Sequence, residues 1–324
     1  MPPKVSVLLI TYNHEKLIAQ AIDSVLMQKT TFPIEVVIGE DCSTDGTRDI
    51  VRAYSEKYPE TIRAILPDVN QGPFQNVMRT LNACRGEYIA GIEGDDYWTA
   101  PDKLQQQVDF LDARPECAIS FHKVLKVFDD ESQPPVEFPE FPKELATIED
   151  LLSGEFGNLI PSCSAVWRRG LFPRLPAWVE EVGFSDWPIH VLNTTKGHAG
   201  FINRCMGVYR IHGGGIWSTQ SWRNVMERWV KAYAYMNREL GGRYHAICVD
   251  GAFRRLAGYA LESMDRGESD AAAYVWRSVR TGPPYRRTRE KASLLLRLYA
   301  PALLRRASQI KRVVSASAPP PSGQ

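Results

Sequence analysis

The stretch Gly91-Ile92-Glu93-Gly94-Asp95-Asp96-Tyr97-Trp98 ends a short apolar run with two adjacent carboxylates. Residues 88–92, which lead into it, combine apolar and small side chains, as is typical of a buried strand that lies close to other backbone. Two negative charges at the end of a buried strand need a partner, and a divalent cation with oxygen ligands is a suitable one. Because protein-bound Mg²⁺ takes further ligands from substrate phosphates, the pair indicates a metal-dependent enzyme that acts on phosphates. The alternative is a turn followed by a helix cap, which is the more frequent context of an isolated Asp-Asp pair.

The composition is that of an ordinary globular protein. The 324 residues, of which 44% are hydrophobic and 24% charged, suffice for one large α/β domain with an appendage or for two domains. The net charge of +1 conceals an acidic middle and a strongly basic C-terminal segment, so overall charge excludes no class of partner.

Neither the cysteines nor the hydropathy pattern indicates a secreted or membrane-spanning protein. The six cysteines are scattered without a CxxC pair or a zinc-type Cys–His spacing, and we expect them to be small apolar residues in a reducing compartment. The N-terminus shows no apolar signal region, and no apolar run approaches the ~18 residues of a transmembrane helix. These features predict a cytoplasmic protein.

Strand and helix patterns alternate through the first third of the chain. Short apolar and β-branched runs predict strands at residues 5–10, 34–39, 62–66 and 88–92. Periodic apolar residues predict helices at residues 17–26, 47–58 and 76–85, the last of which we expect to be capped by Gly86. This order favours an α/β fold with a parallel sheet and right-handed crossovers.

Polar loops follow three of these strands, at residues 11–14, 40–46 and 95–98. The carboxyl ends of parallel strands lie at one edge of a sheet, where α/β proteins bind their ligands. We therefore expect the three loops to meet in one crevice.

The remainder of the chain has a less regular pattern. It predicts a helix at residues 103–111, a strand at 118–127, a Pro-rich and acidic excursion at 129–142, a short helix at 147–152, a return to the sheet at 161–168 and helices from residue 222 onward. We expect a catalytic domain over residues 1–220, a helical extension over 221–283, and a basic amphipathic segment with a disordered tail over 284–324.

The loop after the second strand contains Glu40-Asp41-Cys42-Ser43-Thr44-Asp45-Gly46-Thr47. A carboxylate at Asp41 can accept the imide N–H of uracil or the amino group of another base. The alternative is a loop of helix-capping residues, which we favour for residues 43–45 but not for the more deeply placed Asp41. Thr11 and Asn13 either cap the first helix or border the crevice and frame a nucleotide base.

Together these segments resemble the family 2 glycosyltransferases. The resemblance covers roughly residues 4–217 and is based on five segments in order: residues 5–13, 40–47, 70–72, 85–89 and 94–96. It implies a GT-A fold, which is a Rossmann-like mixed sheet flanked by helices, here with a helical C-terminal extension. It also implies transfer of a sugar from a nucleoside diphosphate donor with inversion at the anomeric carbon.

The resemblance also implies roles for individual residues. The donor nucleotide would contact Thr11, Tyr12, Asn13, Glu40, Asp41 and Asp95, with Asp41 at the base and Asp95 near the ribose. Asp96, together with His212, would bind Mg²⁺ or Mn²⁺ bridging the diphosphate. The chain departs from the family at Glu40-Asp41-Cys42, where Asp-Asp-Gly is common. Cys42 replaces a permissive glycine, which makes the conformation of this loop an open question.

The general base implied by the resemblance is Asp186, which directly precedes Trp187-Pro188. An acceptor hydroxyl must lose its proton as it attacks, and inversion needs one positioned carboxylate for this purpose. Asp186 is also a plausible helix N-cap, and the two roles are compatible. Trp187 would then form part of the acceptor wall or belong to the core, and we expect His190 to be structural.

The segment Tyr209-Arg210-Ile211-His212-Gly213-Gly214-Gly215 allows two interpretations. His-Gly-Gly-Gly alone is typical of a lipase oxyanion loop, but the required Gly-x-Ser-x-Gly elbow is absent from the sequence. In the resembled family, a histidine after Tyr-Arg completes the metal or diphosphate site, and the glycines would let the backbone close over phosphates. A plain structural turn is the alternative.

Basic residues surround a short leucine-rich run in residues 285–314. This pattern predicts peripheral contact with an anionic membrane, and the alternative is a helix that packs on the catalytic domain. The extension is too short and too polar for the membrane bundle of a processive polysaccharide synthase.

The sequence therefore predicts an inverting, metal-assisted glycosyltransferase of cell-surface polysaccharide biosynthesis. We expect a nucleoside diphosphate-sugar donor, with a UDP-sugar as the first choice. The expected acceptor is a glycan or a lipid-linked intermediate, and we expect no nucleic acid partner. The alternatives are a sugar-phosphate nucleotidyltransferase and a catalytically inactive carbohydrate-binding relic. A nucleotidyltransferase would need a Gly-rich basic loop after the first strand, and residues 11–15 do not supply one.

Overall fold

Strands and helices alternate in the N-terminal part of the computed structural model, which describes residues 2–172, 174–215, 221–267, 271–282 and 288–299. The elements of this part are β1 (Val5–Thr11), α1 (Ile18–Leu26), β2 (Ile34–Glu40), α2 (Thr47–Lys57), β3 (Ile62–Ile65), α3 (Pro73–Ala83) and β4 (Tyr88–Glu93). Every strand predicted there is present within a residue or two of its expected bounds.

The rest of the chain adds short strands and the helical extension. Its elements are β5 (Tyr97–Trp98), α4 (Lys103–Ala113), β6 (Cys117–Phe128), β7 (Val136–Phe138), β8 (Leu145–Ala146), α5 (Ile148–Leu152), a 3₁₀ turn (Ser162–Ser164), β9 (Val166–Arg168), α6 (Trp178–Val182), α7 (Asp186–Thr194), β10 (His198–Ile211), α8 (Trp222–Glu239), α9 (His245–Asp265), α10 (Ala271–Thr281) and α11 (Thr288–Tyr299). The excursion at 129–142 thus contributes β7 to the sheet, paired with β6.

Strands β1 to β4, for which the alternating pattern predicted a parallel arrangement, are parallel, but the complete sheet is mixed. Its order is β3-β2-β1-β4-β9-β6-β10-β5, and β9 runs antiparallel to both β4 and β6. The chain enters β9 from the carboxyl end of β4, where Ser162 donates a hydrogen bond to Glu93. A strand that enters at that edge must run in the opposite direction to β4. The mixed sheet implied by the family resemblance is the correct description.

Helix α3 also differs from its predicted position. It begins at Pro73, which suits the first turn of a helix, and it ends at Ala83 rather than near Gly86. Gly86 therefore does not cap the helix. A Cβ atom at this position would collide with the backbone of Val5 and Ser6, so close contact with β1 explains the glycine.

Apolar side chains fill both faces of the sheet. One cluster includes Ile18, Ile22 and Leu104 from α1 and α4. The other continues from the sheet through α7 into the C-terminal helices, where Trp187 packs against Trp229 and Tyr233 at ring distances of 5.5 and 5.0 Å. The helical extension thus shares its apolar core with the sheet.

Helix α11 contains part of the basic segment and packs on the extension. Leu294 is buried, and Trp276 Nε1 donates a hydrogen bond of 2.8 Å to the hydroxyl of Tyr299. The predicted disordered tail at 316–324 lies outside the described residues. Within the described part of the chain, no helix is both long and apolar enough to cross a membrane.

A buried carboxylate, Glu35, ties β1 and β2 to the segment before β4. Glu35 is only 4% exposed, and it accepts hydrogen bonds from the Ser6 hydroxyl (2.6 Å) and from Arg85 Nη2 (2.7 Å). Burial alone would raise the pKa of Glu35, but these hydrogen bonds hold it below its usual value. The ionised carboxylate therefore stabilises the fold above its unfolded-state pKa, and this stabilisation is lost as the pH falls through the lower folded-state pKa.

We predict that Glu35→Gln lowers the free energy of unfolding at neutral pH by about 1.5–3 kcal/mol, because charge-assisted hydrogen bonds are lost. Denaturant unfolding checks this, with the exposed Glu60→Gln as a control that changes little. The difference between wild type and Glu35→Gln should shrink when the pH falls below the usual glutamate pKa. A constant difference down to acidic pH would contradict the assignment.

Candidate functional site

The carboxyl ends of β1, β2 and β4 meet at one edge of the sheet, as the sequence predicted. Strand β1 lies between the other two, with Thr11 opposite Glu40 and Ile10 opposite Glu93. The loops that follow these strands are therefore neighbours. Together they form one crevice, in which side chains from distant parts of the sequence meet.

Three side chains in this crevice form a cluster that could hold a metal ion. Ligand atoms of His14, Asp95 and His212 all lie within 4.8 Å of one another. Asp95 Oδ2 is 3.0 Å from His212 Nε2 and 3.8 Å from His14 Nε2. One carboxylate and two imidazoles are a suitable ligand set for a divalent transition metal.

The neighbouring carboxyl of Asp96 is in a different environment. It is 1% exposed, and Oδ1 accepts a hydrogen bond of 2.9 Å from the backbone N–H of Arg210. Asp96 is not part of the three-residue cluster. Its contacts connect β10 to the end of β4.

The two carboxyls have opposite pKa shifts. Burial raises the pKa of Asp96 well above its usual value, and the charges of Asp95 and Glu93 add to this effect. Burial also acts on Asp95, but the hydrogen bond from His212 and the proximity of His14 outweigh it and lower the pKa of Asp95. Asp95 is therefore the more easily ionised member of the pair.

Strand β10 was not predicted, although it brings Arg210 and the following His212 to the site. Arg204, Cys205 and Gly207 interrupt its apolar pattern, and its pairing with β6 contains register shifts at these positions. At its end, Arg210 Nη1 donates a hydrogen bond of 2.8 Å to the backbone oxygen of Asp95. The guanidinium also lies 4.6 Å above the ring of Tyr97. Arg210 thus keeps the turn that contains Asp95 and Asp96 (the acidic turn) in position. The sequence did not reveal this role.

His14 was also missed, and its only signal was its place directly after the Thr-Tyr-Asn segment. Its Nδ1 lies 3.2 Å from the hydroxyl of Thr11. Its backbone N–H donates a hydrogen bond of 2.8 Å to the Thr47 hydroxyl. Burial lowers the pKa of His14, which favours the neutral imidazole that metals bind.

The loop after β2 is held by its own carboxylates. Glu40 is buried, and it accepts a hydrogen bond of 2.6 Å from the Ser43 N–H and pairs with Arg48 at 3.3 Å. Asp41 is 2% exposed and accepts hydrogen bonds from the N–H groups of Gln71 (3.1 Å) and Gly72 (2.8 Å). In this conformation both side chains organise loops, and a bound base would have to displace or share the contacts of Asp41.

The predicted contacts from the first loop have different environments. Thr11 is buried beside His14, whereas Tyr12 is 42% exposed at the crevice. Asn13 Oδ1 accepts a hydrogen bond of 2.8 Å from the Thr44 N–H, and thereby links the first loop to the second. Neither Thr11 nor Asn13 caps α1, which begins without a side-chain cap.

Asp186 is the first residue of α7. Its Oδ2 accepts a hydrogen bond of 3.1 Å from Asn158 Nδ2. Asp186 lines a small pocket together with Glu93 and His190. Burial and the charge of Asp95 raise the pKa of Glu93 to about 8. Trp187 is buried against the extension, so it belongs to the core and does not form an acceptor wall.

The family model of "Glycosyl transferase family 2" matches residues 6–172, which include β1 to β9 and the acidic turn. This chain belongs to glycosyl transferase family 2. The nucleotidyltransferase alternative is thereby set aside, and the resemblance found in the sequence is confirmed.

Relatives support this assignment. The uncharacterized protein Rv1520 of Mycobacterium tuberculosis is 39% identical over 213 residues, which are 65% of this chain and 60% of that protein. The putative teichuronic acid biosynthesis glycosyltransferase TuaG of Bacillus subtilis is 32% identical over 70% of this chain and 86% of its own length.

Solved structures show the same fold at lower identity. TarS of S. aureus (residues 1–349) superposes with a TM-score of 0.60 at 19% identity, over 86% of this chain and 81% of that one. The mannosyltransferase PcManGT of Pyrobaculum calidifontis, solved with GDP-Man and Mn²⁺, superposes with a TM-score of 0.57 at 19% identity, over 98% and 86% of the two chains. The GT-A fold predicted from the sequence is thus confirmed.

Cys42 adopts the backbone conformation that a glycine would adopt most easily. Its φ angle is +58°, in the left-handed region. Cys42 therefore carries a side chain in a backbone conformation where a side chain is strained and a glycine is not.

We predict that Cys42→Gly raises the free energy of unfolding by up to ~1 kcal/mol, because relief of strain exceeds the added entropy of the unfolded chain. Cys42→Val should lower it by about 1 kcal/mol or more, because β-branched residues tolerate positive φ poorly. Cys205→Gly in β10, where the backbone φ is not positive, is the control and should be destabilising. If Cys42→Gly were as destabilising as the control, the strain would not exist.

Proposed function

We propose that this protein transfers one sugar per encounter from a nucleoside diphosphate-sugar to an acceptor hydroxyl, with inversion at the anomeric carbon. The observation that carries the proposal is the position of the Asp95 cluster after β1 and β4, together with Asp186 in a pocket that includes Ile10 and Glu93 at the ends of the same strands. The cluster has groups suited to a diphosphate, and Asp186 is a carboxylate suited to accept a hydroxyl proton.

The donor would bind along the ends of β1 and β2, with its base near Asp41 and the exposed ring of Tyr12. A UDP-sugar is our first expectation, and a GDP-sugar is the alternative. Structural neighbours support a nucleotide-sugar donor, since TarS was solved with UDP-GlcNAc and with UDP, and PcManGT with GDP-Man. Binding would require the Gln71–Gly72 backbone to share or release the Asp41 carboxylate.

A divalent cation, Mg²⁺ or Mn²⁺, would neutralise charge on the departing diphosphate. The sequence analysis assigned this cation to Asp96 and His212. The contacts favour Asp95 in place of Asp96, because Asp95 directs Oδ2 toward both imidazoles, whereas Asp96 Oδ1 accepts a hydrogen bond from the backbone N–H of Arg210. Asp96 would then keep the turn in position through Arg210. The presence of Mn²⁺ in PcManGT supports a metal-assisted reaction.

Asp186 would act as the general base. The amide of Asn158 occupies Oδ2, which leaves the other carboxylate oxygen for the acceptor. In the transfer step, the acceptor oxygen bonds to the anomeric carbon while the bond from that carbon to the diphosphate breaks. The hydroxyl proton moves to Asp186, and no covalent enzyme intermediate is needed.

The acceptor would be a glycan or a lipid-linked intermediate of a cell-surface polysaccharide, used at the cytoplasmic face of the membrane. Relatives support this reaction class, since TuaG is named for teichuronic acid biosynthesis and ExoO of Rhizobium meliloti for succinoglycan biosynthesis. We also propose that the basic C-terminal segment contacts anionic lipid. Arg289 and Arg297 are exposed on α11, which supports such contact.

We predict that UDP raises the melting temperature in the presence of Mn²⁺, by about 4 °C at 100 times its Kd, because a ligand that binds only the folded state stabilises it. Asp95→Asn should abolish the Mn²⁺-dependent part of this shift. Asp186→Asn, a matched loss of one charge on the acceptor side, should retain the shift but lose sugar transfer.

GDP, dTDP and CDP complete the thermal-shift experiment. A larger shift with one of these nucleotides would change the proposed donor and leave the mechanism intact. If no nucleotide stabilised the wild type with or without Mn²⁺, the glycosyltransferase mechanism would be wrong and the inactive relic would become the better description.

We predict that the protein sediments with vesicles that contain phosphatidylserine and not with vesicles of phosphatidylcholine alone. Combined Arg289→Glu and Arg297→Glu should weaken this binding about 10-fold or more, because each basic residue near an anionic surface contributes about 1 kcal/mol. Arg52→Glu, exposed on α2, is the control. Equal binding to both vesicle types would contradict membrane contact through charge.

A further inference from the structure

The cluster at the active centre has one more potential metal ligand than the sequence motifs assign. His14 and His212 approach Asp95 from two different loops, and both present Nε2 to the same carboxylate oxygen, Oδ2. Their rings lie edge to face with centroids 5.9 Å apart. Two imidazole nitrogens and one carboxylate therefore converge on one point.

The orientation of His14 is fixed by groups that do not belong to the cluster. The Thr11 hydroxyl lies 3.2 Å from Nδ1, which leaves Nε2 for a ligand. The backbone N–H donates to the Thr47 hydroxyl, and the backbone oxygen accepts from the N–H groups of Leu17 (2.9 Å) and Ile18 (2.8 Å). Histidine ligands of metals characteristically have the second ring nitrogen hydrogen-bonded in this way.

Gly94 provides the space for this arrangement. A Cβ atom at this position would lie 2.5 Å from Thr11 Oγ1 and 2.9 Å from His14 Nδ1. The residue before Asp95 must therefore lack a side chain for the Thr11–His14 contact to form. The absence of a side chain at Gly94 thus allows the acidic turn to pack closely against Thr11 and His14 of the first loop.

We propose that His14 is a third protein ligand, and that His14, Asp95 and His212 bind Mn²⁺ before the nucleotide arrives and in preference to Mg²⁺. This inference rests on the proposed function, because it concerns the cation of the same site. It adds an order of binding and a metal selectivity, which neither the family assignment nor the structural neighbours provide.

The number and type of ligands account for both properties. Mg²⁺ is usually held by one or two carboxylates together with substrate phosphates, and it keeps several waters. A site with a single protein carboxylate therefore depends on the nucleotide for the affinity of its metal. Three protein ligands remove that dependence. Imidazole nitrogens favour transition metals, whereas Mg²⁺ prefers oxygen.

The test is a titration of Mn²⁺ into the nucleotide-free protein, with free Mn²⁺ measured by its electron paramagnetic resonance signal. We expect one bound Mn²⁺ per chain that a 100-fold excess of Mg²⁺ does not displace, in keeping with the ligand preference. His14→Ala and His14→Gln should each weaken Mn²⁺ binding by at least about 10- to 100-fold. Loss of a residue that only hydrogen-bonds to a metal ligand already costs this much, and loss of a ligand itself should cost no less. His198→Ala, an exposed histidine at the start of β10, is the control.

Pulsed measurements on the same samples separate ligation from a structural role. Nitrogen couplings from two imidazoles are expected in the wild type and from one in the His14 variants. Unchanged melting temperatures without metal would show that the variants fold. Two nitrogen couplings in a folded His14→Gln variant would exclude His14 as a ligand.

The failures of the two proposals are distinguishable. If Mn²⁺ binds only when UDP is added and Asp95→Asn abolishes that binding, the metal-first inference is wrong and the proposed function stands. If Mg²⁺ displaces Mn²⁺ at equal concentration, the selectivity is wrong. If Mn²⁺ fails to bind with or without UDP, both the inference and the metal-assisted mechanism are wrong.

Discussion

The buried negative charge of Asp95 is the constraint on which the site depends. A carboxylate at the end of a central strand is costly unless positive or hydrogen-bonding groups surround it. Here His212 contacts its side chain, His14 lies beside it, and Arg210 binds its backbone oxygen. These partners come from the first loop and from the last strand of the sheet. The need to compensate one charge thus brings the two ends of the catalytic part of the chain together.

The pattern of strands in the N-terminal part was predictable because β1, β2 and β4 are buried parallel strands with continuous apolar runs. Strand β9 was expected only as a return to the sheet within residues 161–168, without its direction, and β10 was not predicted. Strand β9 has three residues, too few for a periodic signal, and its direction depends on where the preceding loop enters the sheet. Strand β10 contains polar residues and bulges, so its pattern matches neither a buried nor an amphipathic strand. Both are placed by tertiary contacts rather than by local preference.

The sequence predicted where in the fold the candidate site lies, but only some of the residues that form it. Adjacent carboxylates at a strand end mark the crevice, but the sequence cannot tell which of Asp95 and Asp96 turns toward it. That choice depends on Arg210, whose N–H engages Asp96 and whose side chain holds the turn. His14 carries no motif of its own, and its role arises from contacts with Thr11 and Thr47. Whether Asp186 acts as the base stays a prediction.

The most direct test of this account is an anomalous diffraction map, recorded at the manganese absorption edge, from crystals grown with Mn²⁺ and UDP. The account predicts a single strong peak between the Asp95 carboxylate and the imidazoles of His14 and His212, with the diphosphate on its open side. A peak coordinated by Asp96 and not by Asp95 would contradict the central claim. So would well-ordered UDP in the crevice without a metal peak beside Asp95.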